Sequence, residues 1–270
     1  MSPFEIQRGD SPLILAFPHT GTEIPPEIYS RLNANGRTLA DTDWHVDRLY
    51  QGLLPAATMV RANFHRYVID ANRDPRDVSL YPGLNTTGLV PLTDFDGEPI
   101  WQEGQEPGDG DIVARLGAFH RPYHAAIAHE IERVRARHGI AVLYDCHSIR
   151  PLIPFLFEGI LPDFNIGTNL GLTCYPELEQ AALAIVAAAP GYSHVLNGRF
   201  KGGWTTRHYG KPASGVHAIQ MELSQSTHLG EGDYRFEYDE AKAGRLRPVL
   251  KSLLTCLEQL ALQISSASLP

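Results

Sequence analysis

Leu13-Ile14-Leu15-Ala16-Phe17-Pro18-His19-Thr20-Gly21 and Ile140-Ala141-Val142-Leu143-Tyr144-Asp145-Cys146-His147-Ser148-Ile149-Arg150 decide how this chain is read. Each begins as a short apolar run of the kind that forms a buried strand, then turns abruptly polar. In an open α/β sheet, side chains just past the carboxyl ends of strands meet in one crevice. The two segments therefore predict that His19 and His147 share a site. Between them lies a third dense polar stretch, Asp41-Thr42-Asp43-Trp44-His45-Val46-Asp47-Arg48. Two histidines and a carboxylate in one crevice are the ligand set of a catalytic divalent metal. Zinc enzymes commonly use three such ligands and leave the fourth position to water.

Outward from these segments the pattern alternates. Helical spacing is expected over 26–33, 43–54 and 112–138, with Pro122 interrupting the last. It is expected again over 176–189 and, as a closing amphipathic helix, over 238–262. Strand pieces are expected at 58–63, 67–70, 193–196 and 216–223. Alternating strands and helices predict α/β layers around one sheet. Residues 75–110 are rich in Pro, Gly, Asp and Thr. A long irregular stretch inside a compact domain is usually functional, and this one reads as an excursion over the active-site face. The segment 151–173 reads as a loop. Asn197 to Gly210 reads as a glycine-rich loop closing over substrate, with Arg199 and Arg207 as anion contacts, or as a plain surface hairpin.

Composition narrows the function. The chain has 270 residues, of which 43% are hydrophobic, enough for a substantial core. Its net charge of −8 and pI near 5.8 argue against a nucleic-acid or anionic-membrane surface. A small anionic substrate stays compatible, because arginines can be focused in one pocket. Three cysteines without a CxxC pair fit a reducing compartment. With no signal segment or apolar span at the N-terminus, the cytoplasm is the expected location. Nothing in the sequence indicates the oligomeric state.

The third metal ligand is open on spacing alone: Glu23, Asp41, Asp43 and Asp47 all qualify. Glu222, isolated in the apolar run Ile219-Gln220-Met221-Glu222-Leu223, is the candidate general base. Arg48, Arg66, Arg73, Arg150, Arg199 and Arg207 stand in or beside the polar segments, and arginine binds carboxylates bidentately. Cys146 beside His147 raises a cysteine-hydrolase reading. Neighbouring strand residues point opposite ways, so His147 is poorly placed to activate that thiol. His124 either faces the site from its helix or packs in the core.

Eight blocks taken in order, FPHTGTEIP (17–25), DTDWHVDRLY (41–50), RYVIDANRDP (66–75), RPYH (121–124), DCHSIR (145–150), LPDFNIGT (161–168), SHVLNGRFKGGWTTRHYG (193–210) and GVHAIQMELSQSTH (215–228), make the chain resemble the N-formylglutamate amidohydrolase family. The resemblance implies a single catalytic domain over 1–270. Its fold would be three-layer α/β/α with a central mixed sheet, related to zinc carboxypeptidases and aspartoacylases. It implies hydrolysis of N-formyl-L-glutamate to L-glutamate and formate in histidine degradation. It also implies one divalent ion, zinc by preference, on His19, Asp43 and His147, with Glu222 as base. Within that reading Arg73 is expected to stabilise the oxyanion, and Arg48, Arg66, Arg150, Arg207 and Thr205 to bind the substrate dicarboxylate. The rivals are an amidohydrolase acting on another N-acyl or formimino amino acid, and a metal- or glutamate-binding module without turnover.

Overall fold

The computed structural model describes residues 2–232 and 235–267. Its frame is a mixed seven-stranded sheet in the order β1-β3-β2-β4-β7-β5-β6. The strands are β1 (Phe4–Gln7), β2 (Leu13–Phe17), β3 (Thr58–Ala62), β4 (Ala141–Ile149), β5 (Phe164–Gly167), β6 (His194–Leu196) and β7 (Val216–Ser224). The four central strands β3, β2, β4 and β7 run parallel. β1 and β5 pair antiparallel to β3 and β7 at either side.

Alternation along the central strands sorts side chains to two cores. Leu13, Leu15, Phe17, Val142, Tyr144, Ile219 and Met221 face one layer. It contains α2 (Val46–Tyr50), α5 (Pro176–Ala187) and α7 (Glu240–Ala267). In α7 the buried residues Leu246, Leu250, Leu253, Leu254 and Leu257 recur at helical spacing, one stripe of an amphipathic helix. Full burial of each such leucine is worth about 2 kcal/mol. Ile14, Ala16, Val60, Leu143 and Ala218 face the other layer, against Tyr123, Ile127, Ile131 and Val134 of α4 (Arg121–His138).

The structure differs from the sequence expectations at several points. Residues 67–70 are irregular, following a turn over 66–68, and not a strand: their apolar side chains pack in the second core while Asp70 N–H donates to Leu89 O. β1 and β5 are strands that the sequence reading did not expect. The 112–138 helix is divided: α3 (Asp109–Arg115), a π-helical turn at Leu116–His120, then α4. Pro122 stands in the first turn of α4, directly after the π-helical turn, and without an N–H it cannot donate to a carbonyl of that turn. Residues 204–209 form a short helix, α6 (Trp204–Tyr209), instead of a hairpin. Among the described residues no helix is long and apolar enough to cross a membrane.

Candidate active site

The face of the sheet that packs on α4 changes character along its length. On β4 it reads Ala141, Leu143, Asp145, His147; on β7 it reads Ala218, Gln220, Glu222. The apolar residues anchor the strands, and the polar ones emerge at their carboxyl ends. Parallel pairing puts Asp145 opposite Gln220 and His147 opposite Glu222. β2 delivers His19 two residues beyond its end. The loop before α2 delivers Asp43, whose N–H donates to His19 O. All six side chains are buried.

His19 Nδ1 lies 3.2 Å from His147 Nδ1 and 3.7 Å from Asp43 Oδ2, and His147 Nδ1 lies 3.1 Å from the same carboxylate oxygen. These three atoms form a group able to hold a metal ion. Tetrahedral ligands about 2.0 Å from a zinc ion stand roughly 3.3 Å apart, so the spacing suits one. The far nitrogens are backed by carboxylates. His19 Nε2 sits 2.7 Å from Asp70 Oδ1, and His147 Nε2 sits 3.2 Å from Asp145 Oδ2. A carboxylate behind a ligating histidine fixes its tautomer and raises its basicity. Neither Asp70 nor Asp145 was singled out from the sequence. Their signal was available in the motif blocks, two and three residues from Asn72 and Arg73 and two from His147.

The electrostatics follow from close packing of opposite charges. Burial alone would raise Asp43, but hydrogen bonds from His147 and His19 and the charge of Arg66 hold it below the usual carboxylate range. Burial would lower His147, yet Asp145, Asp43 and Glu222 raise it well above the ordinary histidine value. Glu222 goes the other way: burial, together with the charges of Asp43 and Asp145, pushes it up to about 8. Its Oε2 accepts from Gln220 Nε2 at 3.2 Å. A carboxyl group whose proton affinity lies near neutrality is suited to acid–base work.

The cleft in front of this group is lined by Arg66, Arg73 and Arg199, with Tyr81, Asn85, Thr87 and Phe95 from the irregular stretch 75–108 and Phe200 from the loop before α6. Arg66 donates from Nη2 to His19 Nδ1 and stacks over the Phe95 ring at 4.8 Å. Arg73 donates to Thr87 Oγ1 and has Nε 3.8 Å from Asp70. Asn72 links two parts of the site. Its amide nitrogen lies 3.0 Å from His147 Nε2, and its Oδ1 accepts from Thr205 N–H.

Other candidates go elsewhere. Arg48 is not brought to the cleft: it pairs with Glu240 and stacks on Tyr238 at the outer surface of α2. Arg150 pairs with Asp96 at 2.8 Å, near Asp41, and does not line the cleft. Arg207 donates to Gly202 O and stacks on Tyr81 behind the cleft wall. Thr205 is fully buried in α6, where its backbone, not its hydroxyl, meets Asn72. Of the alternatives for the third ligand, Glu23 is exposed and Asp47 pairs with Arg61. Asp41 accepts from Tyr67 Oη and Phe95 N–H. Cys146 points into the opposite core, its thiol kept protonated by burial and by the charges of Asp145 and Asp43. His65 is held between Thr42 Oγ1 and Tyr67 N–H.

Known proteins resemble this chain over nearly its whole length. Residues 11–229 match the family model for N-formylglutamate amidohydrolase. The chain is 47% identical over 253 residues to the N-formylglutamate deformylase of Pseudomonas aeruginosa, covering 92% of this chain and 94% of that protein. It is 46% identical over 251 residues to the enzyme of the same name from Pseudomonas putida, covering 93% of each. The crystal structure of an N-formylglutamate amidohydrolase from Ralstonia eutropha JMP134 superposes with a TM-score of 0.79 at 26% identity, over 99% of this chain and 98% of that one. The chain belongs to the N-formylglutamate amidohydrolase family.

Proposed function

We propose that this chain hydrolyses N-formyl-L-glutamate to L-glutamate and formate, with one divalent metal ion, zinc by preference, held by His19, Asp43 and His147. The observation that carries the reading is the convergence of two carboxylate-backed imidazoles and a third carboxylate beside Glu222, in a cleft lined by three arginines. The donor set fits the ion: three buried acceptor atoms of borderline and hard character, crowded within 4.8 Å of one another, are favourable together only with a cation or protons between them. When bound, such an ion polarises the formyl oxygen and makes water a better nucleophile.

The rest falls to the protein's own groups. Glu222 takes a proton from the attacking water and returns it to the departing amide nitrogen, so that the C–N bond breaks to leave formate and a free amine. Arg66, whose guanidinium touches His19, is the nearest permanent charge for the oxyanion of the tetrahedral intermediate. Arg73 stands next to it, on the same carboxylate; the sequence reading gives it the oxyanion, and with Arg66 touching His19 we assign Arg73 to the substrate's α-carboxylate instead. Gln220 orients Glu222. The whole chain, 1–270, acts as one catalytic unit. The acidic substrate, the acidic protein surface and three free cysteines suit a cytoplasmic step of histidine degradation.

The test is formate release from N-formyl-L-glutamate by purified protein, before and after chelation, with zinc added back. Formate that vanishes on chelation and returns with zinc supports the reading. Absence of formate from protein holding stoichiometric metal rejects it.

A further inference from the structure

The cleft holds three arginines, and they differ in how their charge is met. Arg66 lies 3.8 Å from Asp70 Oδ2, and Arg73 Nε lies 3.8 Å from the same oxygen. Among the described residues, Arg199 has no carboxylate within ion-pairing distance. Its Nε donates to Leu156 O at 3.0 Å and its Nη2 to Asn85 O at 3.1 Å. A guanidinium carries five N–H donors, so most of its hydrogen-bonding capacity is left over.

Two loops aim this side chain. Leu156 and Asn85 supply the carbonyls. Tyr81 supplies a ring 5.2 Å from the guanidinium, and the opposing arginine, Arg207, stacks on the same ring at 5.1 Å. Tyr81 Oη in turn donates to Gly202 O and accepts from Lys201 N–H, fixing the backbone that carries Arg199. Burial draws the guanidinium below its ordinary proton affinity, although the charge of Glu222 acts the other way, so the structure keeps a partly desolvated cation on the cleft wall with no carboxylate in direct contact among the described residues. That arrangement is stabilised by an anionic ligand.

Position separates it from Arg73. Arg73 is tied to Asp70, which holds His19, and so stands at the reacting end. Arg199 is tied to the loop walls. In an N-formyl amino acid the α-carboxylate lies nearer the formyl carbon than a side-chain carboxylate does.

We propose that Arg199 recognises the side-chain carboxylate of the substrate and thereby sets the preference for an acidic N-formyl amino acid. The proposal rests on the deformylase reading above. It also gives Tyr81 and Arg207 a use, as the stack that holds Arg199 in place.

The experiment compares kcat/KM for N-formyl-L-glutamate and its neutral isostere N-formyl-L-glutamine in wild type, Arg199→Gln and Arg199→Lys. Arg199→Gln should lose roughly 100-fold on formyl-glutamate and less than about threefold on formyl-glutamine, so that the preference collapses. Arg199→Lys keeps the charge without the fork. It should lose about tenfold on formyl-glutamate alone, and it carries the test if the Gln variant does not fold. Equal losses on both substrates, or an unchanged preference, would overturn the assignment. Failure of the deformylase reading looks different: wild type then releases formate from neither substrate.

Discussion

His147 and Glu222 are directly paired residues on adjacent parallel strands, β4 and β7, with their side chains on the same face. The pairing puts a metal-ligand candidate and a base candidate one strand spacing apart, about 4.8 Å between backbones. Strand register, not loop conformation, sets that separation, so it is rigid. Glu222→Gln should therefore lower kcat by about 10²- to 10⁴-fold while leaving metal stoichiometry unchanged. Loss of metal along with activity would move Glu222 from base to ligand.

The same residue predicts a pH profile. A base works deprotonated, so kcat/KM rises as pH climbs through its pKa. In the protein alone burial pushes Glu222 up to about 8. A bound cation favours the carboxylate and lowers that value. The acidic limb of kcat/KM should lie below pH 8 and should be missing from the residual rate of Glu222→Gln. A limb above 8 would mean that another group is titrating.

Asp145 and Asp70 back the two histidines. Asp145→Asn and Asp70→Asn should each weaken zinc affinity by about 10- to 100-fold, measured by competition with a chromophoric chelator. Affinity unchanged in both would mean that the carboxylates serve packing alone. Cys146→Ala is the contrasting variant: it should keep turnover within about twofold and cost about 1 kcal/mol of stability through the small cavity left in the core.

His217 and His228 contribute to acid stability, beside His65 and His124, which burial also lowers. Burial pushes His217 and His228 down to about 4. The unfolded chain takes up protons near the ordinary value of about 6.5, while the folded chain does so only near 4. Between those pH values the unfolded state binds more protons, so stability falls as pH falls. Both terms are fully present above 6.5 and level off below 4. Urea unfolding across pH 7 to 4 should show this slope, at most about 2.7 kcal/mol per pH unit for the two groups. In His217→Asn, which can still accept from Tyr175 N–H, the slope should shrink by at most about 1.4 kcal/mol per pH unit.

His124 makes a prediction about positioning. Its Nε2 donates to Ala71 O at 2.7 Å, and His120 Nε2 donates to Arg73 O at 3.1 Å. His120 and His124, four residues apart on a helical backbone, lie on one face with their rings 4.4 Å apart. Together they clamp the backbone that carries Asp70, Asn72 and Arg73. His124→Phe should leave a buried carbonyl unpaired, at a cost of about 1–3 kcal/mol. It should also raise KM more than it lowers kcat, because Arg73 loses its support. A variant with wild-type KM and reduced thermal stability would leave His124 with a core role only.

The sequence disclosed the strand ends well and the side-chain directions poorly. Apolar runs located β2, β4 and β7, and polarity at their ends located His19, His147 and Glu222. The same polarity cut β4 short: the reading stopped at Tyr144, whereas the strand continues to Ile149, because Asp145 and His147 are paid for by partners on other elements. The arginines were harder. Arg48 sits in a polar motif but on the outer face of α2, paired with Glu240, 192 residues away. Arg199 reads in the sequence as an anion contact together with Arg207, with a plain surface hairpin equally open. Which arginine enters the cleft is decided by tertiary contacts, such as Tyr81 against Gly202, that leave no local pattern.

The sheet order has a consequence for synthesis. β2, β4 and β7 are neighbours in space, yet His19 and His147 are 128 residues apart, and β7 is the last strand to be made. A nascent chain halted before Val216 has both histidines and Asp43 but lacks the strand that closes β4 on its far side and carries Glu222. During translation the three proposed metal ligands are thus all made before the proposed base, and the two sets can meet only once β7 has been made and paired with β4.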